Sequence, residues 1–271
     1  MGPWRLELIR IWRTRRWLAL MATFVLLGLA NPVAAYYLPQ LAKITARGPK
    51  VTVATSTAAN SISMVVNSLA QLGTLVVVVV AAVTLAVDAR PGLAAFYRTR
   101  LRHPVLLLLP RYVTTTGVTL VALALGMLAA WYETTALLGA VSFRSLLAAL
   151  ALQAVWFCFV TSVVAFFTST VRGVPGAIGS SIAVLLGLVA LGAIFQRESS
   201  WLPNHLMAVA QHITVQPADG IWRSAAVAGV ASLVALVVGV NRIGKRELYP
   251  AGDTRVRTRS STKVGAHNER T

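Results

Sequence analysis

The chain has 271 residues, of which 56% are hydrophobic and only 12% charged, with a mean hydropathy of +0.70. That balance excludes an ordinary soluble domain and places the chain in a bilayer. A formal net charge of +17 would suit a nucleic-acid binder only if the basic residues shared one soluble surface; they stand instead at the ends of apolar runs.

The first 16 residues predict an amphipathic helix lying in the membrane interface. Trp4, Leu8, Ile11 and Trp12 recur at i, i+4, i+7 and i+8 and form one apolar stripe, while Arg5, Arg10, Arg13 and Arg16 fall on other faces. Six apolar stretches then satisfy the roughly 20 residues a spanning helix needs, at about 17–37, 70–87, 106–131, 146–168, 175–195 and 223–241. The first is too long for a signal-peptide core and runs into Asn31-Pro32 without a small-residue cleavage pattern, so it is expected to remain as a span.

An external connection is expected from Pro39 through Arg47-Gly48-Pro49, a helix-breaking run. Beyond it, Asn60, Ser63, Asn67, Gln71 and Thr74 follow at helical spacing and draw an uncharged polar stripe into the second span. Such a stripe grips a neighbouring helix or faces a water-filled path, while Asn60 and Ser63 fit a solvated extension. The β-branched run of span 2, LVVVVVAAVTLAV, would suggest a strand in water, but lipid demands an internally bonded backbone and hence a helix.

Asp88 to Pro104 is a short basic segment with an aromatic pair, Phe96-Tyr97, wedged between two apolar runs. Span 4 carries Cys158, the single cysteine, which excludes an intrachain disulfide. Span 5 opens on Gly173, Pro175, Gly176 and Gly179, followed by Ser180 and Ser181, small residues that allow close helix approach or line a path. The 196–222 segment is half apolar, and Trp201, Leu202, Leu206, Met207 and Val209 predict a short amphipathic helix dipping into the outer leaflet. His205 and His212 within it lack the further ligands a metal site requires. Residues 249–271 are rich in Arg, Ser and Thr and predict a disordered basic tail.

Nineteen basic residues fall on one side of a six-span arrangement and six on the other, the positive-inside pattern that puts both termini in the cytoplasm. The deep parts of the spans hold no acid, base or histidine. That weakens a proton- or ion-driven carrier, and no nucleophile or carboxylate pair suggests an enzyme. A phosphate-loop lookalike from Gly239 to Lys245 has Arg246 where Ser or Thr is required. If this chain moves something, the energy comes from elsewhere.

An amphipathic elbow, six spans with both ends inside, a cytoplasmic segment between spans 2 and 3 and a hairpin between spans 5 and 6 together resemble the membrane subunit of type-2 ABC transporters, exporter class. Asp88, Arg90 and Gly92 match the start of the family's coupling motif in outline, Phe96-Tyr97-Arg98-Thr99-Arg100 its middle, and Pro110-Arg111-Tyr112 its end. Arg-Pro stands where Glu-Arg is usual before the glycine, and Pro110 where glycine is common. The resemblance covers about residues 1–248. It implies an all-α permease, with segment 88–105 for ATPase coupling and Arg111 closing it, and with Asn67, Gln71, Thr74, Ser180 and Ser181 along a translocation path. It implies a second copy or a homologous permease as partner, and a separate ATPase subunit that carries the ATP and magnesium; this chain itself holds no cofactor or metal. Export of a drug, lipid or glycan-like substrate across a bacterial inner membrane follows from it. An ATP-independent transporter or channel, and a non-transporting scaffold or assembly factor, are the rival readings.

Overall fold

The computed structural model describes residues 3–45, 57–86, 105–171, 173–195, 201–212 and 221–245. All its regular structure is helical. Helix α1 (Pro3–Thr14) precedes α2 (Arg16–Thr45); α3 (Ala58–Ser68), a single π turn (Leu69–Gly73) and α4 (Thr74–Leu85) form one continuous rod. Then come α5 (Val105–Leu137), α6 (Phe143–Thr170), α7 (Val174–Ile194), the short α8 (His205–His212) and α9 (Ile221–Lys245). Six stretches are long and apolar enough to span a bilayer: Arg16–Tyr37, Ala58–Leu85, Leu108–Leu137, Phe143–Thr170, Val174–Ile194 and Ile221–Arg242. The protein is an all-α, multi-pass integral membrane protein.

Span 3 runs on to Leu137 rather than ending near residue 131, and two further boundaries differ from those expected. Helix α2 continues past Pro39 to Thr45, through a stretch whose sequence predicts a connection. Span 2 begins at Ala58 rather than near residue 70, so the polar stripe lies within the spanning rod. The reason is common to both: an extended backbone near hydrocarbon leaves its N–H and C=O groups without water, so the helix is prolonged even through residues that would end it in solution. Thr57 caps the new start, its side chain accepting from the Asn60 N–H at 3.3 Å. The coupling residues Asp88 to Arg100 and the tail after Lys245 lie outside the described residues.

Span 4 is the most enclosed span, with spans 5 and 6 the least covered by protein. Span 6 packs mainly on span 4; span 5 lies against spans 4 and 2. The most extensive pairing joins span 1 to span 3, and two glycines make it so close. A Cβ on Gly28 would collide with the Gly126 carbonyl oxygen, and one on Gly126 would come 2.6 Å from the Phe24 carbonyl oxygen. Lipid tails are as apolar as leucine, so membrane helices gain from backbone-to-backbone contact that only small residues permit. Just beside this crossing, Phe24 and Phe157 pack at 5.4 Å between ring centroids. A Cβ on Gly73 would lie 3.3 Å from the Phe24 ring, so spans 1, 2 and 4 meet there.

Gly126→Val therefore forces spans 1 and 3 apart. We expect it to destabilise the fold by about 1–3 kcal/mol or more, read as a lowered unfolding temperature in detergent, whereas Gly229→Val, at a position open to its surroundings, leaves it unchanged.

Candidate functional site

Among the described residues, span 2 takes part in more of the side-chain hydrogen bonds between elements than any other span. Asn67 Oδ1 accepts from Gln71 Nε2 and from Gln211 Nε2, both at 3.2 Å. Gln211 belongs to α8, which buries Leu206, Met207 and Ala210 against α3 and span 4. The amphipathic pattern of this segment thus serves packing on protein rather than immersion in lipid, and it brings a third amide to the two that the stripe predicted. Asn204, just before α8, donates to the Leu188 carbonyl at 3.2 Å and presses against Gly192, fastening the segment to span 5. Arg223 lies over the Trp201 ring at 5.4 Å, fastening it to the start of span 6.

The amide pair sits at the π turn. A π turn inserts one residue into the helix and shifts the faces beyond it by about a quarter to a third of a turn, an arrangement frequent at functional positions. On the exposed side the rod accordingly presents Asn60, Met64, Asn67 and Gln71 above and Leu75 and Val79 below. Span 4 braces the turn from behind. Gln153 donates to the Val66 carbonyl at 3.0 Å just before it, and the Trp156 indole donates to Thr74 Oγ1 at 3.1 Å just after it. Gln153 is fully buried, and its Oε1 has no partner among the described residues. Ser61 bonds Thr134 of span 3 at 3.1 Å, and Ser68 donates to Asn31 of span 1 at 2.9 Å, so this rod is pinned to three neighbours by side-chain polar contacts.

The path residues therefore divide. Asn67 and Gln71 come together on an exposed face. Thr74 is buried, and its hydroxyl oxygen is taken by Trp156 of span 4. Ser181 is buried and donates to the Ala177 carbonyl of its own helix; Ser180 is half-buried and does the same to Gly176. Among the described residues no hydrogen bond joins either serine to the amides.

At the other end of the bundle, helix α1 is locked to span 3. Arg111 Nε donates to Glu7 Oε1 at 2.9 Å, with both side chains largely buried. Arg10 reaches the same carboxylate at 3.4 Å. The elbow stripe separates accordingly. Ile11, one turn after Glu7, turns inward and is buried, while Trp4, Leu8 and Trp12 remain exposed. The corner between α1 and α2 falls on Arg15, whose φ of +52° is left-handed, a conformation costing a non-glycine residue about 1–2 kcal/mol. Trp12 stacks on Trp17 across that corner at 4.8 Å between centroids, which helps to hold it.

Glu7 and Gln153 were not singled out from sequence, although each carried a signal. Glu7 is the lone acid in the first 87 residues, and Gln153 is the lone amide in an apolar span. Gln211 gave none, because an amide in an external segment looks solvated. Among the described residues no group of His, Cys, Asp or Glu could hold a metal ion.

No family model matches the chain. It is similar to an uncharacterised transmembrane protein, YxlG, of Bacillus subtilis, at 22% identity over 210 residues that cover 76% of this chain and 81% of that one.

Two results are expected at this site. Glu7→Ala and Arg111→Ala each lower stability, and the double variant is less destabilised than the two losses summed, by about 0.5–3 kcal/mol, in thermal unfolding of the detergent-solubilised protein. Gln153→Ala, which removes the side-chain bond to the Val66 carbonyl and leaves it only its backbone partner Leu69 N–H, costs about 1 kcal/mol and speeds amide hydrogen exchange at the π turn more than in span 6.

Proposed function

We propose that the chain is the permease subunit of a type-2 ABC exporter, forming the path for a drug, lipid or glycan-like substrate while a separate ATPase subunit hydrolyses ATP. The observation that carries this reading is the Glu7–Arg111 pair. Arg111 stands seven residues after the end of the basic segment, Pro104. A pull on that segment passes along α5 to Arg111 and through the ion pair to α1. One input then moves the base of span 3 and the elbow together, as a chain driven from outside its own membrane interior requires.

Charge supports the same reading. Among buried polar residues of the described bundle, Arg111 alone is charged, and it lies near one end of Leu108–Leu137. Span interiors whose deep parts hold no carboxylate suit an ATP-driven permease better than a proton-coupled carrier. Six spans return the chain to the side it started from. The described arginines and lysines at that side, five from Arg5 to Arg16 with Arg111, Arg242 and Lys245, outnumber Lys43, Arg144 and Arg223 opposite; on the positive-inside rule that side is the cytoplasm of a bacterial cell.

The test is co-purification. The full-length chain from native membranes should bring down an ATPase subunit, and Tyr97→Asp should abolish that association while leaving the chain folded and inserted. Transport by the purified chain in proteoliposomes devoid of any nucleotide-binding partner overturns the proposal.

A further inference from the structure

We infer that the chain pairs with a second copy of itself along the exposed face of span 2, with Asn67 and Gln71 of the two copies exchanging hydrogen bonds across a two-fold axis. This rests on the permease reading, which calls for a second permease half, and it names the face and the contact.

The first observation is depth. Gln71 lies 14 residues before Leu85, the inner end of the spanning rod, or about 21 Å at the helical rise of 1.5 Å per residue. Measured from that end, it falls within the roughly 30 Å of hydrocarbon. An exposed amide at that depth has no water to bond to, and an unpartnered one costs several kcal/mol. Serines and threonines in these spans avoid the problem by donating to a carbonyl one turn back, as Thr84 does to Val80 and Ser232 to Ala228. Asn67 and Gln71 do not bond backward in this way.

The second is the pattern of what is left over. Asn67 Oδ1 is occupied twice, by Gln71 Nε2 and Gln211 Nε2. That fixes the Asn67 amide so that its NH2 group has no acceptor, while Gln71 Oε1 has no donor, among the described residues. One residue offers a donor and the other an acceptor, one helical turn apart on the same exposed face. Two copies inserted in the same direction are related by a two-fold axis along the membrane normal, so equal residues stand at equal depth. In a two-fold contact residue i meets j and j meets i. Asn67 of each copy then donates to Gln71 of the other, and both leftover groups are satisfied at once. Lipid leaves both unmet, and a single foreign helix would have to supply the complementary pair at matching depth.

The third is the rest of the face. Asn60, Met64, Leu75 and Val79 are exposed on the same side and uncharged, so nothing repels a copy of itself. Interhelical hydrogen bonds between amides are an established source of membrane-helix association. In a paired permease the path runs between the halves, so the reciprocal amide rung closes that path when the copies are in contact.

Cys158 is the single cysteine, which makes the test direct. In full-length Cys158→Ala protein in membranes, Met64→Cys and Leu75→Cys, which flank the amide pair and leave it intact, are each alone oxidised and run on a non-reducing gel. Both should give covalent dimer in at least several-fold greater yield than Leu186→Cys on span 5 or Val234→Cys on span 6, which are also exposed. Asn67→Ala should lower the Leu75→Cys yield about three- to tenfold at limiting protein density, the range expected for loss of an interhelical amide bond. Preferential cross-linking at Leu186 or Val234 overturns the inference. So does labelling of Leu75→Cys by a membrane-impermeant maleimide without cross-linking, which would put water there, or the absence of both, which would put lipid there. Cross-linking needs no ATPase. A dimer that never co-purifies with one sinks the permease reading alone, and an ATPase that co-purifies with a chain that does not cross-link sinks this inference alone.

Discussion

Hydrocarbon offers no hydrogen bonds, and most of what this chain does with its polar residues follows from that. A hydroxyl carried into a span turns back on its own helix, as Thr119 does to Thr115, Thr168 to Ala165 and Ser181 to Ala177. Where it does not, it reaches a neighbouring span, as Ser61, Ser68 and Tyr112 do. The first habit leaves a helix outwardly apolar and free to slide. The second ties two helices at a fixed depth, and these ties concentrate on span 2 and its bracing partner, span 4. Spans 5 and 6 carry fewer, and their contacts are mostly apolar.

The two ends of the bundle use different chemistry for the same purpose. At the amide end, neutral groups hold α8 to span 2, a contact that separates at modest cost. At the elbow end, a largely buried carboxylate and guanidinium hold α1 to span 3, and breaking one side of such a pair weakens the support of a charge held largely away from water. The elbow end should therefore move as a block and the amide end rearrange within itself.

Much of this was legible in the sequence because the bilayer imposes a coarse rule. About 20 apolar residues in a row make a span whatever their β propensity, so all six appeared, and the valine run of span 2 was not mistaken for a strand. The start of span 2 and the end of α2 were not legible, since Pro39 and the Asn60–Ser63 stretch look like loop and solvated helix to rules drawn from water. The π turn was invisible because nothing in LAQLG distinguishes one extra residue in a turn from an ordinary one. The elbow was legible as amphipathic but not in its orientation. A helix with apolar residues on several sides can be turned either way, and it took the Glu7–Arg111 contact to turn Ile11 inward and leave Trp12 outside. Gln211 became meaningful only when folding carried α8 back against α3, a contact across 144 positions of chain.

The spans also differ in length. Span 5 has 21 residues, against 28 in span 2 and 30 in span 3, so at 1.5 Å per residue it reaches only about 32 Å, close to the hydrocarbon thickness itself, while the other two overshoot it. The long spans can absorb a thicker or thinner membrane by tilting. Span 5 has no such slack, and little protein holds it in place. Bilayer thickness thus acts on this protein chiefly through its loosest helix, making lipid chain length a control on how span 5 sits beside span 2.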